Sequence, residues 1–367
     1  MVVHLYQWGI IYDPQTQKRI KCNVPMKMTT NSRSEGNLIQ VSCGTNYTLV
    51  LDSNHRVFIL GDEPKNGRLG QGDDKTIVPT LTLIKGRLPP IGFISCGPST
   101  SILLSTDGRE LWGFGKGIGY SVQQILQSNE SITHCACNEN SIIVVLNSRE
   151  IVERRFNRDG FTTEWISIYQ LNDSNDTIQN IDIGSSLNGF VTEQGHVYLW
   201  GSTVPIGKVS KDENFRNVSI NEPSQRDLPN NSNDRPVQIS CSRGQFHAHA
   251  LLLTEQGCIY SMGSNYKAKL GIDADQSFTG EWTLIELTRT CPFKIIATGG
   301  IHSSALSVDG RVFTWGCGSD GRLGHSEAQG HRYLYKEHEP RPIDALAKQQ
   351  VISVATSYYH MAAIVAQ

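Results

Sequence analysis

The polar side chains whose placement first suggests chemistry are three histidines, His247, His302 and His360. His302 follows Gly299 by three residues, and His247 and His360 stand at the same offset from Gly244 and Ser357. A zinc site would need three such imidazoles to converge at about 2 Å from one ion. Rings that start equivalent strands splay apart if those strands are arranged around an axis. The expectation is therefore structural: each imidazole hydrogen bonds a neighbouring backbone carbonyl at a strand turn. Cys135-Ala136-Cys137 sends two thiols to one face of a strand, yet no second pair completes a tetrahedron. The glycine-dense run Gly113 to Gly119 could pass for a phosphate loop. No helical pattern follows it, and such a loop works by aiming backbone N–H groups from a helix N-terminus. No Ser/His/Asp order or Gly-x-Ser-x-Gly elbow is present, so no hydrolytic or transferase site, cofactor or metal is expected. Arg149, Arg154, Arg155 and Arg158 cluster where comparable stretches are apolar. Drift in one worn repeat and a basic patch for an acidic partner are both open readings.

The elements that must position these residues are read from Ile296 to Gly324. Two short apolar runs, Ser303 to Val308 and Arg311 to Trp315, flank Asp309-Gly310, which predicts a β-hairpin with a type I′ turn. One hairpin cannot bury its own apolar faces, so recurrence decides the fold. Counting from Gly299, the pattern is His302, Leu306, Gly310 and Trp315-Gly316. Gly184 repeats it with Leu187, Val191, Gly195 and Trp200-Gly201, and Gly44 with Tyr47, Leu51, His55 and Leu60-Gly61. Gly97 gives Thr100, Leu104, Gly108 and, one residue early, Trp112-Gly113. Gly244 gives His247, Leu251 and, two residues late, Gly257 and Met262-Gly263. Asn138 starts the worn copy, in which Arg154-Arg155 replace Trp-Gly, and Ser357 starts a copy that stops at Gln367. Its missing half is Val3 to Gly9, with Trp8-Gly9 in the Trp-Gly place. The first strand is therefore expected to pair with the last and close a ring of seven units, an all-β seven-bladed propeller.

The hydrophobic fraction of 38% fits short half-buried strands, and a net charge of −2 favours neither nucleic acid nor an anionic membrane. No apolar run approaches a membrane span of roughly 18 residues, and the N-terminus reads as a strand rather than a secretion signal. Cys43, Cys96, Cys137 and Cys241 sit before repeat anchors as small buried hydrophobes, so free thiols and an intracellular protein, cytoplasmic or nuclear, are expected. Residues 10–37 and 202–236 read as long polar surface loops on a single domain spanning 1–367.

The repeat unit resembles the RCC1 family, whose pattern runs Cys-Gly-x-x-His, Ala-Leu, Gly-x-Val-Tyr-x-Trp-Gly and then Gly-Arg/Gln-Leu-Gly. The matching residues are Cys43-Gly44, Cys96-Gly97, the Trp-Gly pairs, and the loops Gly67-Arg68-Leu69-Gly70, Lys269-Leu270-Gly271 and Gly321-Arg322-Leu323-Gly324. The resemblance implies a seven-bladed propeller and, as one activity, guanine-nucleotide exchange on the GTPase Ran through the loops before the histidines. Those loop positions are Asn46, Ser99, Asn140, Ser186, Phe246, Ile301 and Tyr359 here, none of them acidic as the resemblance would imply, and no wedge insertion follows Trp112-Gly113. Two functions remain. One is a monomeric, non-catalytic scaffold that binds a protein partner through Tyr47, Phe246, His247, His302, Tyr358, Tyr359 and His360, with Arg154 and Arg155 as a basic patch. The other is exchange or regulation of a small GTPase.

Overall fold

The computed structural model describes residues 3–29, 36–157, 159–206, 217–228, 234–273, 275–328 and 335–366. Seven four-stranded antiparallel sheets make an all-β seven-bladed propeller. We number the blades by their first strands: blade 1 starts with Leu38–Gly44, blade 2 with Ile91–Cys96, blade 3 with Ile132–Cys137 and blade 4 with Ile178–Ile183. Blades 5, 6 and 7 start with Pro236–Cys241, Phe293–Thr298 and Gln350–Thr356. The chain divides into two compact units, Met1–Gln170 with Ile352–Gln367 and Leu171–Val351.

In the first unit, blade 7 is closed by the expected exchange of strands. Val3–Asp13 lies beside His360–Ala366, in continuous register from Val3 opposite Ala366 to Gly9 opposite His360. Trp8 is fully buried at the end of that pairing. Gly9 has φ +96°, and a Cβ there would come within 2.4 Å of the Tyr359 carbonyl oxygen, so the position admits only glycine. Within each unit the cores lie between neighbouring blades. Leu49 and Ile59 of blade 1 pack with Ile94, Leu103 and Phe114 of blade 2. In the second unit, Leu251 and Ile259 of blade 5 pack with Ile296, Ala305 and Trp315 of blade 6. Each second strand is buried on both faces, which is why Tyr47–Asp52 and His302–Ser307 read as unbroken runs rather than alternating ones.

Several expectations are corrected. Residues 10–37 are not one loop. The first strand continues to Asp13 and returns as Lys18–Lys27, the fourth strand of blade 7. Residues 202–236 likewise contain the end of Val197–Pro205 and the fourth strand Asn217–Gln225 of blade 4, while 207–216 and 229–233 lie outside the described residues. A fourth strand has one neighbour and a wet face, so it lacks the apolar alternation that announces a strand.

The Asp309-Gly310 turn is not type I′. Only Gly310 has positive φ, and Val308 to Gly310 form a three-residue loop closed by Gly310 N–H to Ser307 O (3.0 Å) and Ser307 N–H to Arg311 O (2.9 Å). A turn with both central φ positive occurs in blade 3 at Asn147 and Ser148, closed by Arg149 N–H to Leu146 O (2.9 Å). In blade 2 the Trp-Gly place is taken by Phe114-Gly115, since Gly115 pairs with Thr100 as Gly316 pairs with His302.

In blade 5 the anchor is Ser242, not Gly244. Its N–H bonds His249 O at 3.0 Å, as Gly299 N–H bonds His302 O at 2.9 Å, so His249 rather than His247 occupies the position equivalent to His302. Six residues, 243–248, thus fill a link that takes two in blade 6.

Candidate functional site

Tyr47, His249 and His360, which open the second strands of blades 1, 5 and 7, face the next blade, not solvent. His360 hydrogen bonds Ser357 Oγ through Nδ1 (2.8 Å) and Thr48 Oγ1 of blade 1 through Nε2 (3.0 Å). Tyr47, in the same place one blade on, donates its phenol to the carbonyls of Gly97 and Thr100 of blade 2 (3.0 Å each) and accepts from Ser101 Oγ at 3.1 Å. His249 repeats the contact with Ser303 Oγ of blade 6 (3.0 Å). Burial holds His360 down to about 4 and His249 well below its usual value, and pushes Tyr47 well above its own, so all three are neutral. The expectation that Tyr47, His302 and His360 form part of a solvent-facing surface is therefore corrected: their exposures are 1%, 0% and 2%. The bond to a backbone carbonyl, anticipated for the imidazoles, is made instead by Tyr47. His360 uses side-chain hydroxyls instead.

A second set of inter-blade bonds escaped the sequence reading. Gln40 imitates a strand: its Nε2 donates to Ile94 O and its Oε1 accepts from Ile94 N, both at 3.1 Å. Gln238 does the same to Ile296 O and N (3.2 and 3.1 Å). Ser42 Oγ, Asp182 Oδ2 and Ser240 Oγ each accept a backbone N–H from the next first strand. A polar pair at period two, Gln40/Ser42, Asn180/Asp182 and Gln238/Ser240, was the available signal.

The Gly-Arg-Leu-Gly loops bury both central residues. Leu69, Leu270 and Leu323 enter the cores, and Arg68, Lys269 and Arg322 turn inward beside them. Arg68 donates to Thr45 O (3.2 Å) and Lys65 O (3.1 Å), Arg322 pairs with Asp320, and Lys269 Nζ donates to His247 O.

Of the predicted partner-facing aromatics, those left on the surface lie at two places. Phe246, at the crest of the long blade 5 link, is 78% exposed. Its loop is nonetheless fastened. Arg243 pairs with Asp182 (3.0 Å) and donates to Ile183 O (2.6 Å), while its N–H reaches Gly299 O and its carbonyl accepts from Ser185 Oγ (2.8 Å). On the other side His247, at φ +58°, stacks on Tyr266 with centroids 4.5 Å apart, and Lys267 Nζ lies 5.4 Å from that ring. In the first unit, Tyr358 is half-buried and Tyr359 is 39% exposed, their rings edge to face at 4.7 Å.

Arg154 lies over the Phe161 ring at 3.7 Å and donates to Thr163 O (3.1 Å), and Arg155 pairs with Glu153 (2.9 Å). Their cationic heads are thus already engaged. Arg158 lies outside the described residues. Cys43, Cys96, Cys137 and Cys241 are buried free thiols. Among the described residues no three metal-ligating side chains converge, and no helix is long and apolar enough to cross a membrane.

Comparison with known proteins gives a consistent picture. Residues 309–364 match the family model of the regulator of chromosome condensation (RCC1) repeat. The chain is 27% identical over 333 residues to the RCC1 domain-containing protein RUG3, mitochondrial, of Arabidopsis thaliana, covering 89% of this chain and 62% of RUG3, less than two thirds of its length. Among solved structures, Prp20p from Saccharomyces cerevisiae, described with its binding to Gsp1p and histones, superposes with a TM-score of 0.81 at 18% identity, covering 100% of this chain and 92% of that one. Human WBSCR16 gives 0.76 at 16% identity, covering 100% and 99%. At these identities the two structures share the fold.

Proposed function

Because the chain is an RCC1-repeat seven-bladed β-propeller protein, we propose that it is a non-catalytic docking platform whose principal anchor for a protein partner is Phe246. One observation carries the proposal: the blade 5 link is four residues longer than its counterparts, fastened on both sides, and uses that length to hold an aromatic ring 78% in solvent. Exposing a phenylalanine gains nothing for folding. A pre-ordered aromatic, by contrast, binds without an ordering cost and is the usual centre of an interface. His247 and Tyr266 flank it, and Tyr358 and Tyr359 are the contact candidates of the first unit. Arg154 and Arg155 belong to a separate patch, tested by reversing both to glutamate. The proposed setting is intracellular, read from the buried free thiols, and the name of RUG3 adds an organelle to the compartments that fractionation should distinguish.

The test is quantitative affinity capture from the native cell with the wild-type chain and with Phe246→Asp. A protein retained by the first and lost by the second, at equal thermal stability, is the expected result. Identical captured sets would overturn the assignment of Phe246.

A second reading, guanine-nucleotide exchange on a small GTPase, draws on the shared fold with Prp20p, which is described as binding Gsp1p. Nucleotide release from Ran and a small-GTPase panel separates the two. Acceleration at substoichiometric protein would replace the platform reading with the catalytic one.

A further inference from the structure

The position before Leu-Gly in the loop after the third strand holds an arginine in blades 1 and 6 and a lysine in blade 5. Arg68 is tied at two carbonyls and Arg322 has a carboxylate. Lys269 is fully buried, and among the described residues its Nζ makes one hydrogen bond, to His247 O. Its own carbonyl is fixed by Ser303 Oγ at 2.8 Å, so its main chain is an immobile base. The backbone on both sides of the bond is left-handed without glycine, at His247 (φ +58°), Lys267 (+65°) and Ala268 (+64°). Such conformations persist only while the surroundings hold them. Here the outer arm of the Phe246 loop is held by contacts that include the Lys269 bond, the His247–Tyr266 stack and, at its base, Ser264 N–H to Ala248 O (2.9 Å).

We propose that Lys269 is a proton-sensitive latch on the Phe246 loop, closing it when the amine is neutral and releasing it when the amine takes up a proton. This rests on the reading of Phe246 as the partner contact and names how that contact is regulated. The titratable and charged groups around Lys269 are His249 on its second strand, His302 on the facing strand of blade 6, His247 in the loop above, and Tyr266 and Lys267 in its own loop. None is a carboxylate, and Asp182, on the other arm of the loop, is bound to Arg243. Nothing therefore offsets the loss of water around an ammonium, and burial holds the amine down to about 7 from 10.5. A neutral amine keeps its hydrogen bond to His247 O. Opening the loop admits water and restores the ordinary affinity for the proton, so opening is coupled to uptake of one proton between those two values. Across that window each unit of rising pH should make opening about tenfold rarer.

Hydrogen exchange of residues 242–248 in the full chain, read by mass spectrometry from pH ~7 to ~9 and corrected for intrinsic rates, tests this. In the wild type, protection should rise about tenfold per unit, roughly a hundredfold over the range. In Lys269→Met and in Lys269→Arg, the residue blades 1 and 6 already use, it should be flat; the second variant keeps the test valid where the first fails to fold. Flat protection in the wild type, or an equal slope in a folded variant, overturns the latch. Phe246-dependent capture is a separate readout: its loss beside a sloping profile sinks the contact reading alone, and its presence beside a flat profile sinks the latch alone.

Discussion

Replacing His360 with glutamine isolates the cost of a neutral imidazole sealed between blades 7 and 1. Burial holds this ring down to about 4 from the usual 6.5. The unfolded chain therefore binds the proton more tightly than the folded one. The stability the neutral ring confers is fully present above pH 6.5 and is lost as pH falls towards 4. Inside that window the loss runs at about 1.4 kcal/mol per pH unit, so between pH ~7.5 and pH ~5 it amounts to about 2 kcal/mol. Glutamine retains a donor and an acceptor near Ser357 and Thr48 but has nothing to titrate. Urea unfolding of both proteins at the two pH values, extrapolated linearly, gives the comparison. Contributions from His249 and the carboxylates are common to both chains and cancel. The wild type should lose about 2 kcal/mol more than His360→Gln over this range. An identical loss in the two would refute the claim that the ring is held neutral between the blades.

Trp315→Ala should be the severest single change. The indole is fully buried between blades 5 and 6, and removing about 150 to 250 Å² of such surface costs roughly 4 to 6 kcal/mol as an upper bound, read as a fall in the urea midpoint. Gln40→Leu leaves Ile94 N and O without their side-chain partner and should cost about 1 to 3 kcal/mol, with faster exchange of the Ile94 amide. Phe246→Asp, in contrast, should change stability by no more than about 0.5 kcal/mol in the same titration, because the ring it removes is mostly in water.

The repeat was legible because propeller blades reuse one packing solution. Trp8-Gly9, Trp200-Gly201 and Trp315-Gly316 mark a buried ring followed by a backbone approach too close for a Cβ, and residue type alone reports that constraint. Strand closure followed from the same marks. The fourth strands were not legible, since Lys18–Lys27 and Asn217–Gln225 have polar, half-exposed faces that look like loop. Nor does a run such as Tyr47–Asp52, buried on both faces, say which neighbour its first residue meets. Tyr47 and His360 were therefore placed on the surface when each bridges to the next blade. The late arrival of Gly257 and Met262-Gly263 did signal an insertion in blade 5. Gly244 stood in for the true anchor because Ser242 does the same work without being glycine, pairing through both its N–H and its hydroxyl with His249.

The strand exchange in blade 7 underlies all of these placements, since it sets the register of His360, Thr48 and Tyr47. Amide hydrogen exchange of residues 3–9 and 360–366 tests it most directly. If Val3–Asp13 is the interior neighbour of His360–Ala366, both stretches exchange only with global unfolding, among the slowest amides of the chain. Exchange of residues 3–9 within seconds, while 360–366 stay protected, would contradict the account.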